Sequence, residues 1–377
     1  MKGRSEQTMK RLETEILVIG GGAAGLSAAA EAAAAGAKVM IIESDLHLGG
    51  QLVKQTHKFF GSKDEYAGTR GFKIAGILLK EMDSCRENID VHINTTVTGY
   101  YSEDDTFTAM RGEEEFFSVK AQRTIVATGA QERLIPFVNN DLPGVYGAGA
   151  VQTLMNVYGV VPGKRVLMVG AGNIGLIVSY QLMQAGVEVA AIVEAAPKVG
   201  GYWVHAAKVR RMGVPVLLRH SIKRGLGDEI ITGAMITELN ERFEPVGEEK
   251  KIDCDVICIA VGLTPTTEIL SQAGCEMMYV PELCGNVARR DSSMQTSNPK
   301  FFTAGDASGI EEASAAMVEG RVAGLSALKS LGYPTEHGRL EEYWSRLQAL
   351  RSGEAGKRIC RGLTCVLTEE WEAVHNG

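Results

Sequence analysis

Val18-Ile19-Gly20-Gly21-Gly22-Ala23-Ala24-Gly25-Leu26 is the stretch from which the rest of the chain is read. An apolar run, Ile16 to Ile19, enters it, and an alanine-rich helical pattern, Leu26 to Ala35, leaves it. Gly20, Gly22 and Gly25 have the G-x-G-x-x-G spacing. The first allows a sharp turn at the strand end, the second lets backbone approach a diphosphate, and the third lets helix and strand pack closely. The helix start then presents unpaired N–H groups and a positive dipole end to that diphosphate. A second strand, Lys38 to Ile42, ends in Glu43, 18 residues past Gly25, where an acid meets a ribose hydroxyl.

The same arrangement returns further along. Arg165 to Val169 is a strand, and Gly170, Gly172, Asn173, Ile174 and Gly175 repeat the loop. The helix pattern runs from Leu176 to Ala185, and the strand from Val187 to Val193 ends in Glu194, 19 residues past Gly175. Two dinucleotide-binding units are therefore expected. Glu194 would repel the 2′-phosphate of NADP, so the second nucleotide is expected to be NAD(H), with Lys198 the one nearby cation against it. A second unit that folds without binding, or that takes a mononucleotide such as ATP or ADP, is the alternative.

A length of 377 residues suggests two to three domains, and 45% hydrophobic and 23% charged residues are ordinary for a globular chain. The net charge of −7 argues against nucleic-acid binding. No apolar run approaches the ~20 residues of a membrane span. Residues 1–13 read as a polar tail without a signal-peptide core, which points to the cytoplasm. The seven cysteines are scattered and form no C-x-x-C, so neither a disulfide framework nor a metal site is expected.

Between the two units, Gly71 to Met82 reads as a helix and Val91 to Val97 as a strand leading into a β-meander through Phe107 and Phe116-Phe117. Arg123 to Val126 is a strand running into Ala127-Thr128-Gly129, and Asp255 to Ala260 is its counterpart, running into Val261-Gly262. Lys300 to Ala304 ends in Gly305-Asp306, and a helix follows from Ala313 to Leu328. In the tail, Leu340, Tyr343, Trp344, Leu347 and Leu350 share one helix face, with Trp371 beyond; the face either docks another subunit or folds back on the chain's own core.

With both fingerprints and both later motifs in place, residues 14 to about 330 resemble the two-dinucleotide flavoproteins, which include thioredoxin and glutathione reductases. The resemblance implies an α/β fold of two Rossmann-like domains, with the NAD domain inserted in the FAD domain. The expected divisions are a tail (1–13), an FAD domain (14–140 and 263–332), an NAD domain (141–262) and a helical extension (333–377). It further implies that Gly20, Gly22, Ala23, Ala24, Gly25, Glu43, Gly50, Gln51, Val97, Ala127, Thr128 and Gly129 border FAD. Gly305 and Asp306 would lie at its ribityl–phosphate side, and Ala313 at the pyrimidine edge. Gly170, Gly172, Asn173, Ile174, Gly175, Glu194, Val261 and Gly262 would hold NAD. His57, Phe59, Phe60, Tyr202 and Trp203 are further candidates for lining these pockets.

The disulfide reductases carry a redox cysteine pair that this chain lacks: Gly49-Gly50-Gln51-Leu52-Val53 contains none, and Cys254 and Cys258 are not in the second-domain motif. The run Ala127 to Phe137, with Leu142 to Val145 and Gly147 to Gln152, is similar to the α subunits of heteromeric sarcosine oxidase, proline dehydrogenase, opine oxidase and hydrogen cyanide synthase. That narrower resemblance implies a hetero-oligomer in which the partners are a second flavoprotein and a small iron–sulfur protein. A stand-alone NADH-dependent reductase of a diffusible acceptor is an alternative, and so is a non-enzymatic assembly role. Hydride transfer between stacked rings needs no side-chain acid or base, so no catalytic residue is singled out.

Overall fold

The computed structural model describes residues 9–368. Two compact units emerge: one from the residues up to 131 together with those from 264 onward, the other from 132–263.

The first unit opens with β1 (Lys10–Ile19), α1 (Ala23–Ala34) and β2 (Val39–Ile42), followed by α2 (Gly71–Asp83), β3 (Ile89–His92), β4 (Thr95–Tyr101), β5 (Thr106–Arg111) and β6 (Glu115–Val126). β1 therefore begins inside the stretch read as a tail. Lys10 pairs with Phe117 of β6, and the parallel register runs on to Ile19 against Val126. Residues 1–8 of that expected tail lie outside the described residues. The single strand expected over 91–97 is two strands. Asn94 breaks it with a left-handed φ of 50°, a conformation asparagine tolerates, and its N–H donates to the Asp45 carbonyl.

The chain enters the second unit through β7 (Ala130–Glu132). Next come β8 (Val145–Gly147), α3 (Ala148–Asn156), β9 (Arg165–Val169), α4 (Asn173–Gln184), β10 (Glu188–Glu194), α5 (Trp203–Arg211) and β11 (Val216–Leu218). β12 (His220–Leu226), β13 (Gly233–Leu239) and β14 (Pro245–Asp253) form an antiparallel sheet of their own, before β15 (Val256–Ile259) and β16 (Leu263–Pro265). No strands were expected over 220–253, because charge-rich, solvent-facing segments such as Pro245–Asp253 carry little apolar pattern. The parallel sheet of this unit has the order β11-β10-β9-β15-β8.

Back in the first unit lie α6 (Glu268–Gln272), β17 (Met277–Val280), β18 (Gly285–Ala288), β19 (Phe301–Thr303), α7 (Ala313–Ser330), α8 (Arg339–Leu350) and α9 (Glu354–Val366). Its main sheet has the order β3-β2-β1-β6-β5-β4, with β19 added alongside the end of β6.

Strand alternation divides each sheet's apolar residues between two cores. Ile16 and Val18 face α1 and α7, while Leu17 and Ile19 face Phe107, Phe117 and Phe301. In the second unit Val166 and Met168 face Leu176 and Val178, while Leu167 and Val169 face Ile236 and Ile257. Burial on both faces is why these parallel strands read as unbroken apolar runs. Helix α8 folds back on the first unit's core: Tyr343 and Leu347 are buried, and the Tyr343 hydroxyl donates to Glu31 of α1 at 2.7 Å. Trp371 lies outside the described residues.

Candidate nucleotide-binding sites

Each glycine of the first fingerprint has a distinct surrounding. Gly20 has φ 104°, and a Cβ there would fall 2.3 Å from the Ala127 carbonyl oxygen. A Cβ on Gly25 would fall 1.8 Å from the Gly20 oxygen. Gly22 meets only the Gly50 Cα, at 3.9 Å, so its face is open. No side chain caps α1, which leaves the N–H groups of Ala23, Ala24 and Gly25 directed at that open face.

Glu43, buried at the end of β2, braces the loop. Its Oε2 accepts from Gly21 N at 2.6 Å, and its Oε1 accepts from Asp45 N at 2.7 Å. A carboxylate has about four acceptor positions, so capacity remains for ribose hydroxyls. The chain after β2 returns to the loop: Gly49 N donates to Gly21 O at 2.8 Å, and Gly50 lies against Gly22, with the exposed Gln51 next. Ala127 N donates to Ile19 O, the Thr128 hydroxyl to Thr266 O at 2.6 Å, and Gly129 has φ 71° with open space around it. Val97 is brought near Glu43 only through the backbone, since Thr95 N donates to Glu43 O; its own side chain packs on the core face of the sheet.

Gly305 connects this loop to α7. A Cβ on it would fall 2.8 Å from that of Ala24, and its N–H donates to Glu319 Oε2 at 2.9 Å. Ala313 is the first residue of α7. Enclosure pushes the Asp306 carboxyl up to about 7; the Glu311 N–H works against this, and the charges of Glu319, Glu311 and Glu312 add to it. Glu319 itself also accepts from Ser308 Oγ, Arg290 Nη2 and Arg351 Nη2 at 2.7, 3.0 and 2.7 Å. Burial alone would raise its pKa, but the two guanidinium groups hold it below the usual carboxylate value. No sequence pattern pointed to this network. Its one signal is a lone carboxylate in the otherwise small and apolar stretch Ser314–Gly320.

The second fingerprint repeats the first, 150 residues on. Gly170 has φ 111° with a Cβ position 2.2 Å from Ala260 O; that of Gly175 is 2.1 Å from Gly170 O; nothing lies within 4 Å of that of Gly172. Glu194 braces the loop as Glu43 does, accepting from Ala171 N at 2.7 Å and Ala196 N at 2.9 Å. Asn173 accepts from Tyr202 N at 2.7 Å, and Ile174 is exposed. Gly262, φ 114°, accepts from Arg133 N, and Val261 packs on the core that holds Leu167, Val169 and Ile236.

All seven cysteines are free. Burial pushes the Cys254 thiol up to about 11 and raises Cys85, Cys258 and Cys275 as well, so these four are not thiolates near neutrality. Among the described residues no cluster of three or more His, Cys, Asp or Glu is arranged to hold a metal ion, and no helix is long and apolar enough to cross a membrane.

Residues 14–320 match the family model described as pyridine nucleotide-disulphide oxidoreductase. The chain belongs to that family. It is similar to the A subunit of opine oxidase from Rhizobium meliloti, 29% identical over 337 residues covering 84% of this chain and 63% of that one. It is also similar to hydrogen cyanide synthase subunit HcnB of Pseudomonas aeruginosa, 26% identical over 368 residues covering 90% and 77%. The solved L-proline dehydrogenase of P. horikoshii superposes with a TM-score of 0.67 at 23% identity, over 92% of this chain and 61% of that one, a likeness of fold. The chain thus spans a little under two thirds of the opine oxidase polypeptide. The fold is the α/β, two-unit Rossmann-like architecture of the family.

Proposed function

We propose that the first unit binds FAD, the second binds NAD(H), and the chain carries electrons between them as the nucleotide-binding subunit of a multi-subunit amine or amino-acid dehydrogenase. The observation that carries this reading is the duplicated loop. Each copy has a strained first glycine, an open second glycine, a packed third glycine and a buried or half-buried carboxylate holding the loop's second N–H. An open glycine beside an uncapped helix start is the chemistry a diphosphate needs, so the residues present fit both nucleotides. FAD, when bound, supplies a ring able to take up or give a hydride.

The chain's own residues bind and orient. The α1 start holds the first diphosphate, and Glu43 takes its adenosine ribose. Asp306 meets the ribityl chain, and the α7 start, at Ala313, favours negative charge on the ring edge nearest it. In the second unit the α4 start and Glu194 do the same for NAD(H), and the Glu194 charge disfavours NADP(H). With Cys254 and Cys258 held as buried thiols, electrons leave without a disulfide relay. The names of the opine oxidase and hydrogen cyanide synthase relatives, each called a subunit, support a partnered enzyme. A second flavoprotein and an iron–sulfur protein are the partner set proposed. Seven free thiols suit the cytoplasm.

The test is anaerobic addition of NADH to the purified FAD-loaded chain. Loss of the flavin's visible absorbance with NADH, and much slower loss with NADPH, is expected. A flavin that stays oxidised rules out the second unit as a hydride donor site. Isolation of the native assembly reports the partner set, and steady turnover by the lone chain with a diffusible acceptor would instead mark a stand-alone reductase.

A further inference from the structure

The duplication extends past the two acids. Six residues after Glu43 comes Gly49-Gly50, and six residues after Glu194 comes Gly200-Gly201. Both pairs return to their own glycine loop. Gly49 N donates to Gly21 O at 2.8 Å, and Gly201 N donates to Ala171 O, the matching position, at 3.0 Å. A Cβ on Gly50 would fall 2.8 Å from Gly22 Cα, and one on Gly201 would fall 2.9 Å from both Gly172 C and Asn173 N. Only glycine permits this approach in either unit.

The residues after the two pairs differ. In the first unit the next residue is Gln51; in the second the chain continues as Tyr202-Trp203-Val204, three apolar residues in a row that are 38%, 75% and 41% exposed. Such a run on a surface is costly unless something covers it. The return segment touches the loop first at Ala171, the residue Glu194 holds, and next at Asn173, the first residue of α4, which accepts from Tyr202 N. It therefore travels along the loop away from the acid. Trp203 then opens α5, and side chains at a helix start lean back over the preceding turn, here toward the loop.

We propose that Gly200–Gly201–Tyr202–Trp203 is the clamp of the second nucleotide site, with the Trp203 indole stacking on the ring at the non-adenosine end of a bound dinucleotide. The inference rests on the reading of that site as one for NAD(H). Glu194 fixes the adenosine end, so the nicotinamide half is the part that reaches the indole. An aromatic face stacked on a flat heterocycle covers the exposed apolar run without demanding a hydrogen bond.

The test titrates the full, FAD-loaded chain with NADH and with ADP-ribose, which lacks the nicotinamide. Trp203→Ala is expected to weaken NADH about 10-fold while ADP-ribose changes less than about 2-fold. Trp203→Phe is expected to keep most of the NADH affinity. Gly201→Val is expected to weaken both ligands, and FAD content should stay unchanged in all three variants. Unchanged NADH affinity in Trp203→Ala, or an equal loss for ADP-ribose, overturns the clamp alone. A wild-type chain that binds neither ligand overturns the clamp and the underlying NAD(H) reading together.

Discussion

Glu43 and Glu194 each accept two hydrogen bonds from backbone N–H groups, so each braces its own loop, and the proposed ligand contact comes in addition to that role. Glu194→Gln keeps one acceptor for the loop and removes the charge. Losing a charged hydrogen bond to ribose costs about 1.5–3 kcal/mol, so NADH affinity should fall roughly 10- to 100-fold while NADPH falls less or gains. Titration with both nucleotides checks this, and an unchanged preference ratio would remove Glu194 from the selectivity argument. Asp306 makes a different prediction. Its carboxyl is raised from the ordinary 3.8 to about 7 in the folded chain. Its contribution to stability is therefore full below about pH 4 and is lost as pH rises through about 7. The thermal midpoint of the FAD-free wild-type chain should fall across that window. Asp306→Asn should flatten the fall, and an identical pH profile would mean that the carboxyl is not enclosed in solution.

At the scale of elements, α1 and α7 are the pair on which the first site stands. Gly320 and Gly324 would place a Cβ 2.1 and 2.5 Å from the Ala24 and Ala28 carbonyl oxygens, so the helices touch backbone to backbone. Gly320→Val forces them apart beside the first turn of α1. Overpacking of this kind costs about 1–3 kcal/mol and should also cost FAD retention. Gly76→Ala, on α2 with nothing within 4 Å, should be neutral or stabilise by about 0.5–1 kcal/mol. Urea unfolding with FAD content measured alongside separates the two outcomes. These elements were legible because their demands are local: strand, glycine spacing, helix and acid succeed one another within about 30 residues, the length of one βαβ unit. The split of β3 from β4 turns on one left-handed asparagine, and the charge-rich, exposed β14 has too little apolar alternation to announce itself. The Glu319–Arg290–Arg351 network joins residues 29 and 32 positions apart in sequence, and no spacing rule links them. The Gly200-Gly201 return was equally hidden: its counterpart at Gly49-Gly50 is plain only once both pairs are seen resting on their loops.

Over the whole molecule, each unit carries its own pair of cores on the two faces of its own main sheet. A nucleotide stabilises the unit that binds it, by about 2.7 kcal/mol at a hundredfold excess over Kd. Calorimetry of the full chain should therefore resolve two components: FAD raises the one belonging to the first unit and NADH the one belonging to the second. Gly170→Val assigns them. Its Cβ would press on the Ala260 carbonyl and its φ of 111° excludes a branched side chain, so the NADH-dependent shift should vanish while the FAD-dependent shift stays. Gly20→Val, with the same clash against Ala127, should do the reverse. A Gly170→Val chain that loses both shifts, or a Gly20→Val chain that does, would mean that the nucleotides do not sort by unit.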